Sequence, residues 1–163
     1  MVDDTFLTGR VAAPAHHPFV DHFTFVQAQE DERTVAKQTI PAPAQFYAQF
    51  AMPFSWQSSH RFYDVPERLI DDIVVAYRQV IGELYDAGCR NLQLDDCTWP
   101  MTVDEGARQF WGDDLDAVRR NLLVANNRVL EGLPGDLTVN THICRGNFHS
   151  TYACSGPYDD VAP

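Results

Sequence analysis

Apolar residues recur at three- and four-residue spacing in Leu69, Ile70, Ile73, Val74, Tyr77, Ile81 and Leu84. This period predicts a helix from about Val65 to Ala87. Asp64 is its candidate N-cap, with Glu67 three residues on as in a capping box, and Gly88 stands where a left-handed C-cap usually sits. The period then changes. Asn91-Leu92-Gln93-Leu94-Asp95-Asp96 alternates and predicts a short strand. Leu115, Val118, Leu122, Ala125 and Val129 predict a second helix from about Leu115 to Glu131. Asp113 or Asp114 can cap it, and Gly132 and Pro134 end it. Leu137 to Cys144 reads as a further strand. Between residues 38 and 54 the chain is apolar but broken by Pro41, Pro43 and Pro53, so a central strand there is disfavoured beyond a few residues. Ala44-Gln45-Phe46-Tyr47-Ala48 reads equally as strand or helix. Residues 1–36 are poorly periodic, with residues 29–34 charged and turn-like. There is no internal repeat and no low-complexity tract.

The order helix, strand, helix, strand gives a strand–helix–strand unit whose long crossover implies parallel pairing. The predicted class is α/β. A closed eight-stranded barrel typically needs about 250 residues, so 163 residues fit a small open sheet or part of a larger barrel. The 12 Lys and Arg against 23 Asp and Glu leave a net charge of −11, which opposes nonspecific nucleic-acid binding and attachment to anionic membranes. No apolar run reaches transmembrane length. Met1-Val2-Asp3-Asp4 lacks the start of a signal peptide, and a cytoplasmic location is expected. Cys89, Cys97, Cys144 and Cys154 include no C-x-x-C pair, and reduced thiols are expected.

Alternation assigns faces. Leu92 and Leu94 share one face of the first strand, and Gln93 and Asp95 the other. In the second, Leu137, Val139, Thr141 and Ile143 oppose Thr138, Asn140, His142 and Cys144. Each strand thus has an apolar face suited to lie under helices and a polar face with ionisable groups at its C-terminal end, where parallel α/β proteins carry their sites. His142-Ile143-Cys144 sets imidazole and thiol on one face, about 7 Å apart by strand rise, both of them zinc donors. The alternative is a buried histidine beside an inert cysteine. Asp95 can bind an amino group or act as a base, or it can simply cap a turn. Asp95 and Asp96 face opposite ways and are not a proton-sharing pair. His149 and Cys154 could complete a local four-ligand site with His142 and Cys144. Arg145-Gly146-Asn147 is either a substrate-touching loop or a simple turn. Trp56 and Trp99 fall in expected loops, where they stack on a planar ligand or cover a core edge. Asp113, Asp114 and Asp116 read as a helix start. His16, His17 and His60 have no evident partner.

Three segments together resemble one family. They are Thr39-Ile40-Pro41-Ala42-Pro43, Tyr85 to Asp96 (YDAGCRNLQLDD) and Thr141 to Phe148 (THICRGNF). They resemble cobalamin-independent methionine synthase, most closely its short bacterial single-barrel homologues, in register from about residue 38 to the end. The resemblance implies an incomplete (β/α)8 barrel, with residues 1–163 one partial catalytic-barrel domain. It implies methyl transfer from 5-methyltetrahydrofolate, usually as polyglutamate, to homocysteine in methionine biosynthesis, with a catalytic zinc holding the thiolate. His142 and Cys144 match two zinc ligands. Asp95 matches the carboxylate that takes the substrate amino group, with Gln93 and Asn147 as further substrate contacts. The family's remaining ligands, a Glu and a Cys, and its proton-donating His lie on later strands than those visible up to Asp159-Asp160-Val161-Ala162-Pro163. A fragment inactive alone is therefore expected, with exposed sheet edges open to self-association. Gln49 stands near the position of the family's folate-stacking Trp. The alternatives are a noncatalytic metal-binding or partner-dependent module, and another thiol alkyl transfer on the same barrel.

Overall fold

A computed structural model describes residues 5–147, 149–159 and 161. Met1–Asp4, Phe148 of the THICRGNF motif, Asp160, Ala162 and Pro163 lie outside the described residues. In chain order the elements are α1 (Pro18–Gln27), β1 (Gln38–Pro41), α2 (Pro43–Ala51), α3 (Pro53–Ser59), α4 (Pro66–Asp86), β2 (Asn91–Asp96), α5 (Thr98–Val103), a 3-10 turn (Arg108–Trp111), α6 (Leu115–Leu130) and β3 (Thr138–Ile143). The strands form one parallel sheet in the order β1-β2-β3. The α/β class is as expected. The three strands of the described residues make a wall, and they do not by themselves define a barrel.

Prolines open the helices. Pro18, Pro43, Pro53 and Pro66 each stand in the first turn of a helix, where the missing N–H is not needed and the fixed φ suits the helix. The Ala44–Ala48 segment is therefore helical, and the strand near it is the preceding Gln38–Pro41. The expected Asp64 cap is displaced for the same reason. Pro66 at the start makes Val65 the N-cap, without a side-chain cap, and Asp64 instead accepts from the Val65 N–H at 3.1 Å. The other end of α4 is as expected. Gly88 has φ +102°, and the Gly88 and Cys89 N–H groups donate to Tyr85 and Leu84 O, both at 2.9 Å, a Schellman closure. Asp114 caps α6 by accepting from Ala117 N at 2.9 Å. The poorly periodic N-terminal segment holds a helix after all, α1, with Phe23 buried. Its cap is His17, whose Nδ1 accepts from Phe19 N. His16 meets Asp21 at 2.9 Å, and the His60 ring lies 6.0 Å from that of Trp56. All three histidines expected to lack partners thus have one.

The core lies on one side of the sheet. Ile40, Leu92 and Leu94 join Leu69, Ile73 and Ile81 of α4 and Leu122 and Val129 of α6 in a single buried cluster. Trp56 and Trp99, expected in loops, lie in α3 and α5 and pack half-buried against this cluster. The face alternation holds well in β2, where Leu92, Leu94 and Asp96 are buried and the residues between them half-buried. It does not carry into burial in β3. Thr141 is exposed and Ile143 is 48% exposed on the side expected to lie under helices. β3 is the sheet's edge strand, paired on one side alone among the described residues.

The N-terminal segment is pinned to α4 by a polar cluster. Arg10 donates twice to Asp72, at 2.8 and 2.9 Å, the Tyr63 hydroxyl donates to Asp72 at 2.9 Å, and the same hydroxyl accepts from Val11 N at 2.7 Å. Hydrogen bonds from Arg10 hold the Asp72 carboxyl below its ordinary range. A carboxyl depressed in the fold stabilises above its unfolded pKa and loses that stabilisation as pH falls through the folded value. Protection of the Val11 amide against hydrogen exchange should thus fall below roughly pH 4 in the native chain, and Asp72→Asn should abolish that dependence. A pH-independent Val11 amide in the native chain would refute the assignment.

Candidate functional site

The sheet face away from the helices carries the candidate chemistry. Register aligns it in levels. Thr39, Gln93 and Asn140 stand side by side, and Pro41, Asp95 and His142 form the next level. Paired residues on parallel strands project to the same face, so Asp95 and His142 share this surface as immediate neighbours. Thr39, Pro41, Asn140 and His142 are exposed, and Gln93 and Asp95 are half-buried.

A short relay orients Asp95. Lys37 Nζ donates to Gln93 Oε1 at 2.7 Å, and Gln93 Nε2 donates to Asp95 Oδ1 at 2.7 Å. Lys37 thereby fixes which way the Gln93 amide faces, and the amide fixes the carboxyl. The backbone is set as firmly, since Ala42 N donates to Asp95 O at 2.7 Å. The role of Lys37 escaped the sequence reading because it acts across two strands.

Asp96 points the opposite way and is fully buried. It accepts from the Thr98 N–H at 2.8 Å and from the Thr98 hydroxyl, and its other oxygen accepts from Asn126 Nδ2 at 3.0 Å. Asn126 Oδ1 in turn accepts from Ala44 N at 2.9 Å. One carboxyl thus ties the end of β2 to α5, to α6 and, through Asn126, to the start of α2. It is a positioning residue under the site.

Beyond the last ladder pair, Asp96 with Ile143, the Cys144 N–H donates to Asp96 O at 2.9 Å. The next position in register is Cys97 beside Cys144. Burial, with the neighbouring Cys144 thiol adding to it, pushes the Cys97 thiol up to about 11. Cys144 Sγ accepts from Gly146 N at 3.2 Å. Gly146 is needed there. Its φ is +78°, and a Cβ would stand 2.9 Å from Ala153 Cβ. The sequence signal for Cys97 was available: it stands two residues after Asp95, as Cys144 does after His142.

The loop after Cys144 folds back on the segment that follows it. Arg145 O accepts from Ala153 and Cys154 N, its guanidinium donates to Gly156 O at 2.8 Å, and the same group lies over the Tyr158 ring. Cys154 is buried, and that burial raises its thiol pKa. His149 is exposed with φ 51°. Among the described residues no group of three or more His, Cys, Asp or Glu is placed to hold a metal. The local quartet of His142, Cys144, His149 and Cys154 is therefore not assembled. Asn147 is exposed on the loop.

An open cavity of about 610 Å³ adjoins the strand ends, lined by Thr5, Gln45, Gln49, Phe54, Thr98 and Met101 among others. Gln45 links it to the site, since its Oε1 accepts from Cys97 N at 3.0 Å. No described helix is long and apolar enough to cross a membrane.

No protein-family model matches the chain. It is 36% identical over 149 residues to the uncharacterized protein YxjH of Bacillus subtilis and 35% over 150 residues to the uncharacterized protein YxjG of the same organism. Each match covers 90% of this chain and 38% of the relative. A solved structure from Listeria monocytogenes, of a candidate vitamin-B12 independent methionine synthase, superposes with a TM-score of 0.65 at 32% identity. That match covers 83% of this chain and 40% of the other. The chain thus spans about two fifths of the length of the proteins it matches, and its fold is similar to that of a methionine synthase candidate.

Proposed function

We propose that this chain is one wall of a zinc-dependent methyltransferase barrel of the cobalamin-independent methionine synthase family, which transfers a methyl group from a folate donor to the thiol of homocysteine. The observation that carries the reading is Asp95 set beside His142 at the C-terminal end of a parallel sheet, in a chain 32% identical to a methionine synthase candidate. Asp95, held by Gln93, accepts the substrate ammonium. Asn147, on the loop beyond Cys144, is a further substrate contact. His142 and Cys144 are donors of the kind zinc prefers, two of the usual four. The described residues fit half a site, and the remaining donors come from strands that complete the barrel. Zinc, when bound, keeps a substrate thiol ionised at neutral pH and so nucleophilic. The cavity beside Gln45 and Gln49 is the space for the donor.

Zinc retention tests this. After dialysis against a weak chelator, the 163-residue chain should hold zinc weakly, with a Kd raised about tenfold or more by His142→Ala and again by Cys144→Ser. Zinc affinity unchanged by both substitutions would overturn the ligand assignment. A second reading, a partner-dependent module, has its own support in the exposed Ile143 of the edge strand β3. It expects an apparent mass in size-exclusion chromatography that rises with protein concentration.

A further inference from the structure

The ladder positions 95 and 96 run beside 142 and 143. Cys97 and Cys144 are one step past the last bridged pair, joined to it by the Cys144 N–H to Asp96 O bond of 2.9 Å. Neighbouring parallel strands lie about 4.8 Å apart, inside the roughly 4.4–6.8 Å between Cα atoms that a disulfide spans. Continuing the register by one step sets the two residues side by side. Both backbones are held at this spacing, Cys97 by Gln45 and Cys144 by Asp96. Both residues are partly open to solvent and both are free thiols. Cys89 and Cys154, by contrast, are buried.

We propose that Cys97 and Cys144 form a redox pair, which a peroxide converts into a disulfide that staples the ends of β2 and β3. The reaction balances in two steps. One thiol sulfur attacks the peroxide, the O–O bond breaks, and a sulfenic acid and one water result. The second thiol then attacks that sulfur, the S–S bond forms, and the hydroxyl leaves as a second water. Two electrons and two protons pass from the thiol pair to one peroxide. A low-molecular-weight thiol reverses the change by exchange. The disulfide stands on the geometry alone. Its consequence rests on the function proposed above: the oxidised pair has lost the Cys144 donor, so oxidation and metal binding exclude each other.

The test oxidises the reduced 163-residue chain with hydrogen peroxide, alkylates it under denaturing conditions and maps the peptides. Two of its four cysteines should become resistant to alkylation, in one intramolecular link between Cys97 and Cys144 that dithiothreitol reverses. Cys97→Ser should give no link and leave Cys144 to oxidise further. A link through Cys89 or Cys154, a link between chains, or sulfinic acid at Cys144 with Cys97 untouched would overturn the proposal. The same mapping with zinc separates the two readings. Zinc at about ten times its Kd should slow the link about tenfold. A link that forms equally fast with zinc bound refutes Cys144 as a ligand and leaves the redox pair standing. Zinc retained through His142 and Cys144 with no link under peroxide alone refutes the redox pair and leaves the metal reading standing.

Discussion

Asp96→Ala should destabilise the chain by about 3 to 5 kcal/mol, because it strands several buried donors at once. The Thr98 N–H and hydroxyl and the Asn126 amide all lose their acceptor. With a urea slope near 1.5–2 kcal/mol per molar, the unfolding midpoint would fall by about 2 M. Asp96→Asn should cost less. Its carbonyl can still serve Thr98, but its amide then opposes the Asn126 amide, and flipping Asn126 would take the acceptor away from Ala44 N. The Asp96→Ala and Asn126→Ala pair should also be strongly non-additive, since each removes the partner of the other. A loss under about 1 kcal/mol for Asp96→Ala would mean that water replaces the carboxyl, and the tie from β2 to three helices would be refuted.

The second large effect is on ligand binding. Asp95→Asn keeps the size of the side chain and removes its charge. It should weaken binding of homocysteine or methionine about tenfold in this chain, the share of a charge-assisted hydrogen bond in a partly exposed site. Zinc affinity should stay within about twofold, because Asp95 is not one of the proposed donors. Lys37→Met should weaken amino-acid binding less and in the same direction, by releasing Gln93. Calorimetry of both ligands on all three proteins checks this. Equal amino-acid affinity in Asp95→Asn and native protein removes the carboxylate from the site.

What the sequence carried was local. The period of α4, the alternation of β2 and the cap of α6 by Asp114 are each set by residues within a few positions, and they were legible. So was the division of β2 into a buried face and a polar face with Asp95. The prolines carried two signals. Pro43 and Pro53 disfavour a central strand, as the structure has it, and each also begins a helix, which only the structure shows; Pro66 moves a cap from Asp64 to Val65. The missed site features are non-local. Cys97 beside Cys144, Lys37 on Gln93, and Asp96 with Asn126 join positions more than 25 residues apart through strand register or helix packing. The exposure of Ile143 was beyond reach for another reason: a strand's own alternation says which side prefers cover, and the cover comes from other elements.

The wall has helices on one side and solvent on the other, and this sets the dielectric in which its chemistry operates. Two unit charges about 4 Å apart attract by about 1 kcal/mol in bulk water and about 4 kcal/mol at an effective dielectric constant of 20. Asp95 and a substrate ammonium would feel the first value on the open face and the second inside a closed chamber. The same side chains, unmoved, would grip a substrate more tightly once further strands excluded water. Enclosure is then a control on affinity in its own right, separate from the supply of any missing ligand.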